Sequence, residues 1–200
     1  MNLREIGTVA RLQIQRSSLK IGQKPYRTYD PSPLLDVRQV SISPAGVVAL
    51  PPDGQTLLDV HHRDHPDSQQ AVGNSVSIGF TANYAKMRER FGEHIIHGCA
   101  GENILIETGE SFALADLGRG VMIRCSVADA ELWLGEILVA HPCVEFSRYS
   151  LQHPQAEKSS DIIKTTLQFL EDGMRGFYAT PGNVHGPLII SVGDRVYLPV

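Results

Sequence analysis

Short runs of Val, Ile and Leu, each closed by Gly, Pro or Asp, recur along the whole chain, and helical periodicity is confined to two segments. The stretch Ile6-Gly7-Thr8-Val9-Ala10-Arg11-Leu12-Gln13-Ile14 alternates apolar with polar or small residues, the period of a half-buried strand. Val37 to Leu50 reads as two strands around a Pro44-Ala45-Gly46 turn. Asn103 to Glu107, Val121 to Val127 and Glu131 to Ala140 are strand-like in their Val, Ile and Leu content. Gly176 to Ala179 and Leu188 to Leu198 close the chain, the second interrupted at Gly193-Asp194. One helix is predicted from Thr81 as N-cap through Tyr84, Met87, Arg88 and Phe91 to Gly92. Another has Ser159 or Ser160 as its cap, Asp161 in its first turn, Ile163, Leu167 and Leu170 on one face, and Gly173 at its end. This count predicts a mainly β fold, a barrel or a sandwich with a few peripheral helices, as one domain over residues 1–200.

A chain of this length buries a core without disulfide staples. Its 42% hydrophobic and 20% charged residues are those of a globular protein. The net charge is −4 with the cations scattered, which argues against a dedicated nucleic-acid or anionic-membrane binder. No apolar run reaches the ~18 residues of a membrane-spanning helix, and the polar start Met1-Asn2-Leu3-Arg4-Glu5 predicts no signal peptide. Cys99, Cys125 and Cys143 are too few and too irregularly spaced for a disulfide framework, so free thiols and a cytoplasmic setting are expected.

Cys143 follows an apolar strand in His141-Pro142-Cys143-Val144-Glu145-Phe146-Ser147-Arg148. Proline has no N–H to continue strand pairing, so the cysteine is expected at a strand-to-loop exit facing a cleft. His141 and Arg148 would favour the thiolate, the form that attacks sulfur or binds a soft metal. The alternative is a small buried apolar residue, as most free cysteines are. Cys125 reads as packing and Cys99 as structural. Gly98-Cys99-Ala100-Gly101-Glu102-Asn103-Ile104 is a sharp turn feeding a strand, where glycines permit close approach to a ligand and Glu102 and Asn103 offer a carboxylate and an amide. A plain turn with a self-satisfied Asn is the competing reading.

Pro25, Pro31 and Pro33 mark an extended loop, and Pro51 to Gln70 is expected to be a long surface loop. Within the latter, Asp59-Val60-His61-His62-Arg63-Asp64-His65 gathers metal-ligating residue types, but without the helical His pair and Glu of a zinc protease. One His bonding a ligand or a local turn is the simpler expectation. Lys20, Arg148 and Arg175 are cations beside glycines or loop ends, suited to phosphate or carboxylate if they converge, and solvated surface charges if they do not.

Gly98 to Asn103, then Pro142-Cys143, then Gly173 to Tyr178 followed by Val192-Gly193-Asp194-Arg195-Val196, taken in order, resemble the MOSC domain, named for the C-terminal part of the molybdenum-cofactor sulfurases and found also as stand-alone bacterial proteins. The resemblance runs from about Ile6 to Leu198. It implies a β-barrel-like fold with a cleft for the phosphorylated pterin of the molybdenum cofactor (molybdopterin). It also implies that Cys143 is the molybdenum ligand or sulfur carrier, that Lys20, Arg148 and Arg175 hold the cofactor, and that Glu102 and Asn103 wall the pocket. Many relatives carry a His-Gly-Gly step in the middle loop, where this chain has His61-His62-Arg63.

Three functions follow from the resemblance. The first is a molybdenum-dependent reductase of N-hydroxylated or similar small molecules, with Glu102, Asn103 or His61 positioning substrate. The second is a sulfur carrier holding a persulfide on Cys143, and the third a cofactor-binding module without catalysis. The sequence carries no flavin or iron–sulfur motif, so a separate electron-donor or sulfur-donor protein is expected.

Overall fold

The computed structural model describes residues 2–182 and 186–200. Its organising element is strand β1 (Leu3–Gln15), whose alternation buries Val9, Leu12 and Ile14. The chain continues through β2 (Lys20–Ile21), β3 (Thr28–Tyr29), β4 (Leu34–Val37), β5 (Gln39–Ser43), β6 (Gly46–Ala49), β7 (Leu57–Leu58) and β8 (Val76–Phe80). Helix α1 (Thr81–Phe91) then leads to β9 (Ile104–Glu107), β10 (Val121–Cys125) and β11 (Ala130–Val139). Two helices follow, α2 (Val144–Ser150) and α3 (Asp161–Leu170), and β12 (Phe177–Pro181), β13 (Leu188–Ser191) and β14 (Arg195–Pro199) complete the fold.

Seven strands close into a barrel. Their order is β14-β10-β11-β12-β8-β9-β1, and β1 pairs back onto β14. β1 serves three partners in succession: Leu3 to Thr8 pair with β14, Thr8 to Leu12 with β9, and Leu12 to Gln15 with β4. Its register slips between Glu5 and Gly7 and again between Val9 and Arg11, irregularities that bend a strand around a barrel. Every barrel pairing is antiparallel except β8 with β9, and α1 makes the long crossover a parallel pair needs. Closure leaves no exposed sheet edge between these strands. A second sheet, β13-β5-β6-β7, packs Val40, Ile42, Val47 and Ile190 against the barrel core.

The helices build a second apolar cluster outside the barrel, from Leu19, Tyr29, Tyr84, Met87, Ile95, Phe146 and Leu170. Edge-to-face rings join its parts: Tyr29 and Phe146 at 5.1 Å between β3 and α2, Phe91 and Phe169 at 5.4 Å between α1 and α3. The barrel mouth beside this cluster is where the candidate residues gather. Among the described residues, no helix is long and apolar enough to cross a membrane.

The barrel answers the barrel-or-sandwich alternative, and four local expectations need correction. The segment after Cys143 is helix α2 rather than loop, because Cys143 Sγ accepts the Phe146 N–H at 3.4 Å and Phe146 is fully buried. Phe80, not Thr81, occupies the cap of α1; the Thr81 hydroxyl instead accepts the Thr108 N–H at 3.0 Å, tying the helix to the end of β9. α3 ends at Leu170, before Gly173. The segment from Pro51 to Gln70 contains β7 and is not all surface, since Asp59, Val60 and His62 are buried.

Candidate functional site

The Gly-Glu-Asn turn enters β9 with Gly98 and Gly101 in the left-handed region, at φ of 82° and 94°. Successive side chains of a strand point to opposite faces, and Glu102 and Asn103 accordingly serve different partners. Asn103 is consumed by the fold. Its Oδ1 accepts from the Ser77 N–H and hydroxyl at 3.0 and 2.9 Å, and its Nδ2 donates to Asp59 Oδ2 at 2.9 Å. Asp59 accepts further from the Gln15 N–H at 2.7 Å and the His61 N–H at 2.8 Å. A buried carboxylate thus knots β1, β9 and the middle loop together.

Glu102 takes the other face. Both carboxyl oxygens lie within hydrogen-bonding distance of the Tyr84 hydroxyl, at 2.7 and 2.9 Å. Gly79 and Gly176 flank it; a Cβ at Gly79 would fall 2.6 Å from Oε1, and one at Gly176 3.3 Å from Cγ. Burial pushes the Glu102 carboxyl above its ordinary range, with the Tyr84 hydroxyl pulling the other way. Glu102 and Arg175 line a tight pocket of about 10 Å³ at the barrel mouth, with Gln15, Ser77 and Tyr178.

Arg175 reaches this pocket from the turn before β12. Its Nη1 and Nη2 donate to the carbonyls of His141 and Ala100 at 3.4 and 3.1 Å, and its buried Nε–H has no acceptor among the described residues. Burial opposes its charge, but the neighbouring Tyr29, Tyr178 and Cys143 outweigh that and keep it firmly protonated. Cys143 is the half-exposed thiol of the three; Cys99 and Cys125 are buried, and burial pushes their thiols up to about 12 and about 11. The two sequence neighbours of Cys143 are occupied elsewhere. His141 bonds Glu171, and Arg148 donates to the carbonyls of Ala156 and Pro25 at 2.8 and 3.3 Å.

Those Arg148 bonds join the two lips of a groove of about 1000 Å³ between the 24–28 segment, the start of α2 and the 154–159 segment. Val144, next to the thiol, lies in its wall, and Lys24, Arg27, Arg148 and Lys158 supply cations. Arg27 pairs with Glu145 at 2.6 Å. Lys20 lies outside this lining, exposed on β2, with its charge acting on Glu145. The histidines of the middle loop do not converge. His61 Nδ1 contacts Asp59 at 3.0 Å, His62 Nδ1 accepts the Asp64 N–H at 3.1 Å, and His65 Nδ1 accepts the Asp67 N–H at 3.0 Å. Among the described residues, no group of three or more His, Cys, Asp or Glu side chains could hold a metal ion.

The structure therefore brings Glu102, Arg175 and Cys143 to one end of the barrel and spends Asn103 and His61 on a buried network. Sequence reasoning missed Tyr84, Arg27, Lys24, Lys158 and Asp59. Tyr84 looked like one more helix-face aromatic, whereas Lys24 and Arg27, two cations in a Pro-rich loop, carried a readable signal.

No protein-family model and no curated protein matches the sequence. Solved structures do match in shape. The crystal structure of the YuaD protein from Bacillus subtilis superposes with a TM-score of 0.56 over 98% of this chain and 96% of its own, at 13% identity. The fold is shared with YuaD. A second match, to the crystal structure of a hypothetical protein, has a TM-score of 0.54 and 12% identity over 97% of this chain and 67% of the other.

Proposed function

We propose that this chain is a MOSC-type protein that binds the molybdenum cofactor, with Cys143 as the metal's protein ligand, and reduces small N-hydroxylated or related oxidised compounds. The observation that carries the reading is a partly exposed thiol, the only one of the three cysteines not buried, whose neighbour Val144 lies in the wall of a cation-lined groove. A soft thiolate suits molybdenum. The residues present fit a phosphorylated pterin: the groove has room, and Lys24, Lys158 and the remaining donors of Arg27 and Arg148 would hold a phosphate. Lys20 stands just outside as a further cation. The bound cofactor would supply a metal that cycles between oxidation states. This chain's own residues would fix the thiol, through the Phe146 N–H, and orient substrate between Glu102 and Arg175. Electrons would come from a separate donor protein.

The test is metal analysis with pterin fluorescence on protein expressed anaerobically in cofactor-replete cells. Stoichiometric molybdenum and pterin in the wild type, and loss of molybdenum in Cys143→Ser, are expected. A protein that takes up no molybdenum and gains the mass of sulfur on Cys143 from a sulfur donor would replace this reading by the persulfide-carrier one.

A further inference from the structure

We propose that Glu102 is the proton donor of the inner pocket, delivering its proton to an oxygen atom of substrate held against Arg175, and that Tyr84 is the residue that positions it. Glu102 is only 4% exposed and forms no ion pair among the described residues. Among the described residues, the single side-chain donor it meets is the Tyr84 hydroxyl, which itself accepts the Ala100 N–H at 3.1 Å. Burial with one neutral donor and no paired cation favours the protonated form of a carboxyl.

The groups facing it come from every neighbouring element: Tyr84 from α1, Arg11 from β1, Tyr29 from β3, Cys99 from the preceding turn, and Arg175 from the turn before β12. The two arginines favour the carboxylate but bond elsewhere, Arg11 to Asp36 and to the His97 carbonyl. Burial outweighs them, and the net effect raises the Glu102 pKa. Gly79 and Gly176 leave the space the Glu102 side chain fills, since a Cβ at either would crowd it. Across from it, the buried Nε–H of Arg175 has no acceptor among the described residues, which leaves a donor for a single substrate oxygen in a pocket the size of about one water.

The substrate class rests on the function proposed above; the protonated state of Glu102 does not. For an N-hydroxylated substrate, the N–O bond breaks as two electrons arrive from the donor protein. The oxygen leaves as water with the proton of Glu102, the nitrogen takes a second proton from solvent, and solvent then reprotonates the carboxylate. R2N–OH with two electrons and two protons gives R2NH and water.

Infrared difference spectra of the full chain across the pH range test the assignment. A protonated-carboxyl band is expected at neutral pH, absent from Glu102→Gln and moved to higher pH in Tyr84→Phe, which removes the hydroxyl that supports the carboxylate. In wild-type protein grown with carboxyl-13C glutamate the band must shift to lower frequency, which assigns it to a glutamic acid, and its loss in Glu102→Gln identifies which one. No such band at neutral pH, or one indifferent to Tyr84→Phe, overturns the proposal. With cofactor and substrate, Glu102→Gln should lose roughly 10²–10⁴-fold in kcat with little change in KM; a loss confined to KM would overturn the donor role. A protein that shows the band but binds no molybdenum would sink the cofactor reading and leave the carboxyl assignment standing.

Discussion

The Asp59 carboxylate and the Asn103 amide meet at 2.9 Å inside the fold, although the middle loop, β8 and the whole of α1 separate them in the chain. This contact makes the middle loop part of the barrel mouth. Through Asp59, the loop also holds the backbone of Gln15, a residue of the inner pocket.

Asp59→Ala would orphan the Gln15 N–H and one Asn103 amide hydrogen in the interior. Each unsatisfied buried donor costs about 1–3 kcal/mol, so a loss of about 3 kcal/mol in urea unfolding is expected. Asp59→Asn keeps acceptor oxygen for one of them and should cost less. Equal stability of Asp59→Ala and wild type would mean that the loop is fastened elsewhere.

Gly176→Ala should be costly for two separate reasons. The residue has a φ of 123°, closed to alanine without strain, and a Cβ there would lie 2.8 Å from the carbonyl oxygen of Ile78 in β8. Left-handed strain and overpacking each cost about 1–3 kcal/mol, so destabilisation of about 3 kcal/mol is expected. Gly109→Ala serves as the control, since a Cβ there meets nothing within 4 Å and its backbone is not in the left-handed region. Thermal unfolding of both variants compares them directly.

Much of the barrel was legible before folding because its signals are local. The β5–β6 hairpin follows from two β-branched runs around Pro44-Ala45, and α3 from the spacing of Ile163 and Leu170 with Asp161 in its first turn. Helix α2 was not legible: it is short, follows a proline, and is capped by Cys143, a residue type outside the usual capping set. The site divides in the same way. Cys143 and Glu102 stand out by residue type and neighbouring turn signals. Tyr84 and Asp59 act through partners far away in sequence, and only strand pairing brings those partners within reach.

Histidine protonation should erode stability on the acid side. His62 and His97 have pKa values lowered from 6.5, foremost by burial, and for His97 then by the charges of Arg88 and Arg11. Each uses a ring nitrogen as acceptor, His62 from the Asp64 N–H at 3.1 Å and His97 opposite Arg88 at 3.1 Å. Below 6.5 the unfolded chain takes up protons that the folded chain resists, so stability falls as pH drops from that value through the lower folded values. Urea midpoints should therefore decline from neutral to mildly acid pH, with a smaller decline in a His62→Asn, His97→Gln double variant. An identical slope in the two proteins would assign the acid sensitivity to other groups.

The three thiols offer a test of the site that needs no cofactor. Reaction with a disulfide reagent requires both an accessible sulfur and a population of thiolate. Cys99 and Cys125 lack both, being 1% and 0% exposed with thiols pushed up to about 12 and about 11. Cys143 is half-exposed beside the guanidinium of Arg175. Native protein at mildly alkaline pH should therefore react at Cys143 alone, and denatured protein at all three; Cys143→Ser should silence the native reaction. If Cys99 reacted as readily as Cys143 in the folded protein, the burial that singles out one sulfur would be wrong. The case for Cys143 as the working thiol, as metal ligand or as sulfur carrier, would then lose its footing.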